Sequence, residues 1–389
     1  MEAQKLKAWH YAVVVYFSFF GMGIAALLAR MPEVKANLAV NSSQLGLVLL
    51  VGAMGSLISL LFSGKLVARL GTKPVLITGY TISALALIAA VTAIQMHSLV
   101  LTMLFLFITF AGYAVSDVSV NVDGSAIEQK LNRSVLPRMH AAYSLGSFAG
   151  AGLGTLAVTF NVSLLTQISV ISGVALLIPI LTFKAVPSHT GQDLHHKDKS
   201  QEKVASINPL RNPVVILLGF GILGITLTEG AGNDWMALSF KEGIGTTATN
   251  AGLAFVIYEV GMTATRFFGG RFVDKFGRRR MLEVLAAGGV VGLLLVILSH
   301  NVYLGWIGCA LWGMGVALGF PLFLSAAGEG KNAAKQVSMV ATFGYTAFLV
   351  GPPALGLLAQ NIGILNMLYV LVIGLGMAAF FARATASKS

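Results

Sequence analysis

Apolar residues come in long uninterrupted runs along this chain, separated by short polar stretches, and the runs lack the strict alternation of a half-buried strand. A run of about 20 apolar residues crosses a bilayer as a helix, whereas a membrane barrel would show polar and apolar positions with period two. The pattern predicts twelve spans, near 9–29, 45–67, 74–94, 98–122, 138–160, 164–183, 213–235, 248–269, 281–299, 302–326, 337–360 and 364–382. The longest polar interruption contains HTGQDLHHKDKSQEK and separates six spans from six. The expected organisation is an N-terminal six-helix bundle over 1–184, a cytoplasmic central loop over 185–211 and a C-terminal six-helix bundle over 212–389. The fold class is therefore all-α integral membrane protein. The start, MEAQKLKAWHYAVVVYF, has the basic flank of a signal peptide, but its apolar run continues to Ala29. That is longer than a signal core, so it reads as an uncleaved first span.

Composition sharpens the class. The chain has 389 residues, 56% hydrophobic and only 11% charged, where a soluble domain carries about 25% charged residues. The net charge of +11 would suggest nucleic acid in a soluble protein. Here the basic residues sit in the connections, where they set orientation in the membrane. With the N-terminus in the cytoplasm, 22 basic residues face inward and three, Arg30, Lys35 and Lys241, face outward, with Arg266 inside a span. The expectation is a bacterial cytoplasmic-membrane protein with both termini inside, working as a monomer and binding no nucleic acid. Cys309 is the lone cysteine, so no intrachain disulfide or cysteine metal site is expected. His189, His195 and His196 in the central loop read as a solvated linker rather than a metal site, and no cofactor is expected. No GxxxxGK[ST] is present to drive an ATP pump.

The chain repeats itself. GKLVARLGTK begins at Gly64 and GRFVDKFGRR at Gly270, an offset of 206 residues; at that offset Gly46 meets Gly252, Gly55 meets Gly261 and Lys35 meets Lys241. Two such loops in matching places indicate parallel repeats, an arrangement of secondary transporters that bind solute near the membrane midplane. On these residues the chain resembles the major facilitator superfamily over nearly its full length. Gly270, Asp274, Lys275, Gly277, Arg278 and Arg279 match that family's loop signature, and Gly64, Arg69, Gly71 and Lys73 match it in the first half, where Ala68 replaces the acid. The resemblance implies a latch of these loops on the cytoplasmic side, with Asp274 as its acid. Asp117 with Asn121, LLARMPEVK around Arg30, EGAGNDW from Glu229 and MHAAYSLGS from Met139 are similar to the fucose permease-like bacterial branch. The resemblance implies that spans 1, 4, 7 and 10 line a central cavity, and a sugar-like solute follows from the branch.

The rare charges inside the spans carry the chemistry. An ionised carboxylate at the centre of a spanning helix costs roughly 2.5–3.5 kcal/mol, so it is kept for a role and faces a bundle interior or a wet cavity. Asp117 shares a helix face with Asn121, one turn on. A carboxylate there can take up and release a proton as its surroundings change from wet to dry, or it can be a hydrogen-bonded structural group. Asp117 is the first candidate for proton coupling, Glu259 the second, and His140 enters span 5 at a depth similar to Asp117. Asp123 reads as nearer the loop and solvated. Glu229 and Asp234 read as the outer end of span 7 and Arg30 as that of span 1, together an outer gate. Arg266 reads as close to the cytoplasmic edge, free to snorkel. Tyr16, Ser18, Tyr113, Asn121, Trp312 and Phe323, in cavity spans, are candidate solute contacts. Gly146, Gly150 and Gly154 in span 5, and Gly344, Gly351 and Gly356 in span 11, allow close helix approach. The expected function is a secondary active transporter of a small polar solute, proton-coupled and working by alternating access. The alternative is a proton-driven exporter of amphipathic drugs or metabolites, although Ala151 stands where drug exporters of the family carry proline. A channel or a membrane enzyme fits less well, because no motif for either unites the polar residues.

Overall fold

The structure, a computed structural model, describes residues 2–132, 135–192, 212–329 and 333–386. Every regular element among them is a helix. In the first half, span 1 is Glu2–Leu28, span 2 Ser42–Leu70, span 3 Thr72–Gln95, span 4 Leu99–Leu131, span 5 Leu136–Thr159 and span 6 Leu164–Thr182. In the second, span 7 is Pro213–Leu238, prolonged by a π-helical turn Ser239–Ile244, span 8 is Ala248–Phe276 and span 9 Arg278–Leu298. Span 10 is two helices, Val302–Val316 and Gly319–Ala327, span 11 is Ala333–Ile362, and span 12 is Ile364–Met367 followed by Tyr369–Phe381. Eleven of these helical segments are long and apolar enough to cross a membrane. The twelfth, span 8, has 29 residues and is the one that carries both Glu259 and Arg266. His195 and His196 lie outside the described residues.

Two departures from the apolar pattern have plain causes. A helix of eight residues, Met31–Leu38, follows span 1. It is too short to register as an apolar run, yet Pro32 sits in its first turn and Glu33 complements its N-terminal dipole. Span 10 breaks after Val316 because Pro321 has no amide hydrogen and its ring collides with the carbonyl four residues back, that of Ala317.

The chain forms two compact units, Met1–Val40 with Val48–Glu202, and Asn41–Leu47 with Lys203–Ser389. In the first, spans 1 and 5 pair extensively, as do spans 3 and 4; in the second, spans 7 and 11 pair, as do spans 9 and 10. These pairings correspond under the internal repeat. Backbone geometry corresponds too: Gly71 has φ 85 and ψ 163, and Gly277, its partner in the repeat, has φ 80 and ψ 156. That region is open essentially to glycine alone. Within the first unit, span 5 lies against the backbone of span 1, so a Cβ on Gly146 would fall 1.8 Å from the Ser18 carbonyl and one on Gly150 2.2 Å from that of Met22. Small residues permit this contact, as the sequence pattern predicts.

The repeat glycines separate strain from space. Gly277→Ala forces a side chain into a glycine-only conformation and is expected to lower stability by about 1–3 kcal/mol, read as an earlier thermal unfolding in detergent. Gly71→Ala adds a Cβ 2.4 Å from the Ser188 carbonyl and should lose more. Gly64→Ala and Gly270→Ala meet nothing within 4 Å, lie inside helices and should hold or raise the unfolding temperature.

Candidate functional site

Span 7 organises the second unit. Its helical run extends from Pro213 to Ile244, 32 residues, so Glu229 lies at the middle of the span rather than at its outer end, and Asp234 is also well inside. The sequence reading stopped the span at residue 235 because the polar cluster GNDW resembles an end; the π-helical turn carries the helix past it. Glu229 Oε1 accepts a hydrogen bond from Arg266 Nη2 at 2.6 Å. The Arg266 side chain is therefore an ion-pair partner in the membrane interior, not a snorkelling end charge. Its Nε donates to the Ala317 carbonyl at 3.2 Å, the group that Pro321 deprives of its helical donor. One guanidinium thus joins spans 7, 8 and 10. Glu259, on the same helix as Arg266, is buried with 5% exposure.

Two aromatics brace the same stretch of span 7. Trp312 Nε1 donates to the Thr228 carbonyl at 3.2 Å and Tyr258 Oη to the Glu229 carbonyl at 3.1 Å. Gly232 makes room for Tyr258, since a Cβ there would lie 2.5 Å from its ring, and Gly221 does the same for Phe323 at 2.4 Å. Trp312 and Phe323 are wholly buried. They were expected to touch solute, and the structure assigns them instead to the packing of the second unit.

In the first unit Tyr16 has the same fate: it is wholly buried, its hydroxyl accepts from Thr182 Oγ1 at 3.1 Å, and its ring meets Tyr80 edge-on at 4.9 Å. Tyr113, half-buried, meets Phe20 edge-on at 4.8 Å and helps line a cavity of about 40 Å³ with Tyr80, Ser83, Thr109 and Ser172. Asp117 is near the middle of span 4, deeper than expected, because the helix runs nine residues beyond the end expected at residue 122, to Leu131. It is half-buried. Asn121 Nδ2 donates to the Asp117 main-chain carbonyl at 2.8 Å, so Tyr113, Asp117 and Asn121 stack at intervals of one turn on one face of span 4. Ser18 Oγ donates to the Val14 carbonyl at 3.0 Å, and the His140 ring lies 4.9 Å from that of Phe17.

Arg30, 4% exposed, does not wait for a distant acid: its Nε donates to Glu33 at 2.8 Å and its Nη1 to Gln167 Oε1 at 2.7 Å. This holds the helix Met31–Leu38 to spans 1 and 6 and gives Arg30 acceptors within its own unit. Asp123 is wholly buried rather than solvated and accepts from Thr72 Oγ1 at 2.7 Å. The chain after span 6 folds over it, with the Thr72 amide donating to the Thr190 carbonyl at 2.9 Å. That strap belongs to what the sequence suggested was free loop. Among the loop-signature residues, Arg69 and Asp274 are exposed, and Arg278 pairs with Glu329 and donates to Ser325 Oγ at 3.2 Å.

Two compact units of repeated helical architecture, with ionisable side chains held in the spans, have the organisation of a multi-pass membrane carrier. The family model of the Major Facilitator Superfamily matches residues 12–329 and 234–388, and the chain belongs to this superfamily. It is 27% identical over 352 residues to an uncharacterised MFS-type transporter of Yersinia pestis, covering 88% of this chain and 87% of that one. Among solved structures, a mutant of the nucleoside transporter NupG matches with a TM-score of 0.77 at 14% identity, covering 98% of each chain. FucP, a superfamily transporter in its outward conformation, matches with a TM-score of 0.62 at 16% identity, covering 98% of this chain and 100% of that one. The family is one of transporters, not enzymes.

The ion pair gives a test of the site. Removing one member of a buried pair costs roughly 3–5 kcal/mol because the other is left charged and alone. With the Arg266 side chain 34% exposed, Glu229→Ala should fall at the lower end of that range. Glu229→Leu combined with Arg266→Leu should recover most of the loss in thermal unfolding. A double variant no more stable than Glu229→Ala would show that the pair does not hold the spans.

Proposed function

We propose that this chain is a secondary active transporter that carries a small polar solute of the sugar or nucleoside kind across the bacterial cytoplasmic membrane by alternating access, coupled to protons. The observation that carries the reading is Asp117, a half-buried carboxylate near the middle of a 33-residue span, on one helix face with Tyr113 and Asn121. A carboxylate, an amide and a phenol on one face supply the acceptors and donors that a polyhydroxyl solute needs. The same carboxylate is costly when ionised in a dry setting and cheap when wet, which is the property a proton carrier requires. Buried Glu259 is the second group with that property. NupG, similar in fold, is a nucleoside transporter, which supports a polar solute over an amphipathic one. The excess of basic residues in alternate connections supports both termini in the cytoplasm.

The test is uptake into proteoliposomes of a radiolabelled panel of sugars, nucleosides and cationic dyes after an external acid jump. Accumulation of a polar member supports the reading; extrusion of dyes alone would replace it with export. Asp117→Asn is expected to abolish accumulation driven by the proton gradient while leaving counterflow exchange within about twofold. Full accumulation by that variant would remove Asp117 from the coupling.

A further inference from the structure

We infer that a small cleft between spans 7 and 11, headed by Asp234, seats a primary ammonium group of the transported solute. The inference rests on the transporter reading above and narrows its substrate class. Asp234 lies inside the helical run Pro213–Ile244. Among the described residues no hydrogen bond or ion pair reaches its carboxylate. Arg266, on the neighbouring span 8, is committed to Glu229 and to the Ala317 carbonyl. Asp234 is therefore a carboxylate in the membrane interior without the partner that such groups require.

Its surroundings indicate which partner fits. The cleft is lined by Gly230, Phe348, Gly351, Pro352 and Leu355 beside Asp234. It exists because two side chains are missing: a Cβ on Gly230 would stand 3.2 Å from the Phe348 ring, and one on Gly351 2.9 Å from Leu227. The space is about 10 Å³, enough for one group the size of a water molecule, which is the size of an ammonium head. An ammonium brings three donors and no acceptor, matching a carboxylate. A second acceptor stands on the same helix as the aromatic wall. Pro352 has no amide hydrogen, so the Phe348 carbonyl one turn earlier lacks its helical donor. The Phe348 ring itself suits a cation, because an aromatic face attracts positive charge. A hydroxyl of the same size brings one donor and no charge to balance the carboxylate, and an anion would be repelled. The solute class indicated is thus a small polyol-like molecule bearing a primary amine.

The experiment uses purified full-length protein in detergent at constant ionic strength, with thermal unfolding as the readout. The probes are methylammonium against tetramethylammonium, and glucosamine against glucose. Methylammonium and glucosamine should raise the unfolding temperature at concentrations at least tenfold below those needed by their counterparts. Asp234→Asn, close in shape to the native residue, should abolish that preference. Gly351→Ser fills the cleft while keeping the acid and should also abolish it. Equal response to amine and counterpart overturns the inference, as does an amine preference that survives Asp234→Asn, or no response to any probe. Acid-driven liposome uptake with the same preparation separates the two readings. Uptake of neutral solutes without amine preference removes the ammonium site and leaves the transporter standing; no uptake of any solute with an intact amine preference does the reverse.

Discussion

A single guanidinium within the membrane interior ties the second unit together. Arg266 is tolerable there only because two acceptors meet it, the Glu229 carboxylate and the Ala317 carbonyl. Each acceptor has its own cause. Glu229 sits at mid-span because the helix continues through a π-helical turn to Ile244. The Ala317 carbonyl is open because Pro321 breaks span 10. Hydrocarbon offers no water to satisfy such groups, so a break in one helix, a charge on a second and an acid on a third become mutual requirements. Trp312 and Tyr258 extend the logic by giving their polar hydrogens to carbonyls of the same stretch of span 7. The net stability of such a buried pair is modest compared with apolar packing. What it fixes is register: spans 7, 8 and 10 cannot slide past one another without leaving one member exposed to lipid.

The first unit has the same helix pairings but a different polar chemistry. Gly71 and Gly277 share one unusual backbone conformation across 206 residues, so the repeat persists where geometry demands glycine. In the first unit the polar side chains of the spans that the sequence singled out are held mainly by neutral partners. There Asp123 is held by Thr72, Tyr16 by Thr182, and Arg30 works at a helix end with Glu33 and Gln167. The two repeats therefore keep a common frame while dividing the chemistry: the second unit holds a charged knot, and the first holds Asp117 free of any cation on its own helix face. A carboxylate locked to a guanidinium is poorly placed to trade protons, and in this respect Glu229 and Asp117 differ.

The frame was legible in the sequence for the reason that it is enforced by the solvent. Lipid demands long apolar helices, and a glycine-only backbone demands glycine, so spans and repeat could be read directly. Depth and partnership could not. Glu229 and Asp234 were placed at a helix end because GNDW resembles a terminus, and nothing local reveals that a π-helical turn carries the helix further. Asp123 was placed in solvent because the strap that covers it follows span 6, far along the chain. The Arg266 pair did leave a trace: one base and several acids in adjacent spans, together with a proline in span 10, are a charge balance that calls for a partner.

Burial also separates scaffold from site in a way that residue type does not. Tyr16, Trp312 and Phe323 have the aromatic character expected of solute contacts, but all three are wholly enclosed within their own units and their polar atoms, where they have any, are engaged. A side chain with no free surface and a satisfied hydrogen bond gains nothing from a ligand, and moving it would unpack the bundle. Tyr113, Asp117, Asn121 and Asp234 are half-buried instead, polar enough to need partners and open enough to accept new ones. Recognition in a membrane carrier falls to such intermediate positions, because full burial makes a group structural and full exposure to lipid makes it unaffordable.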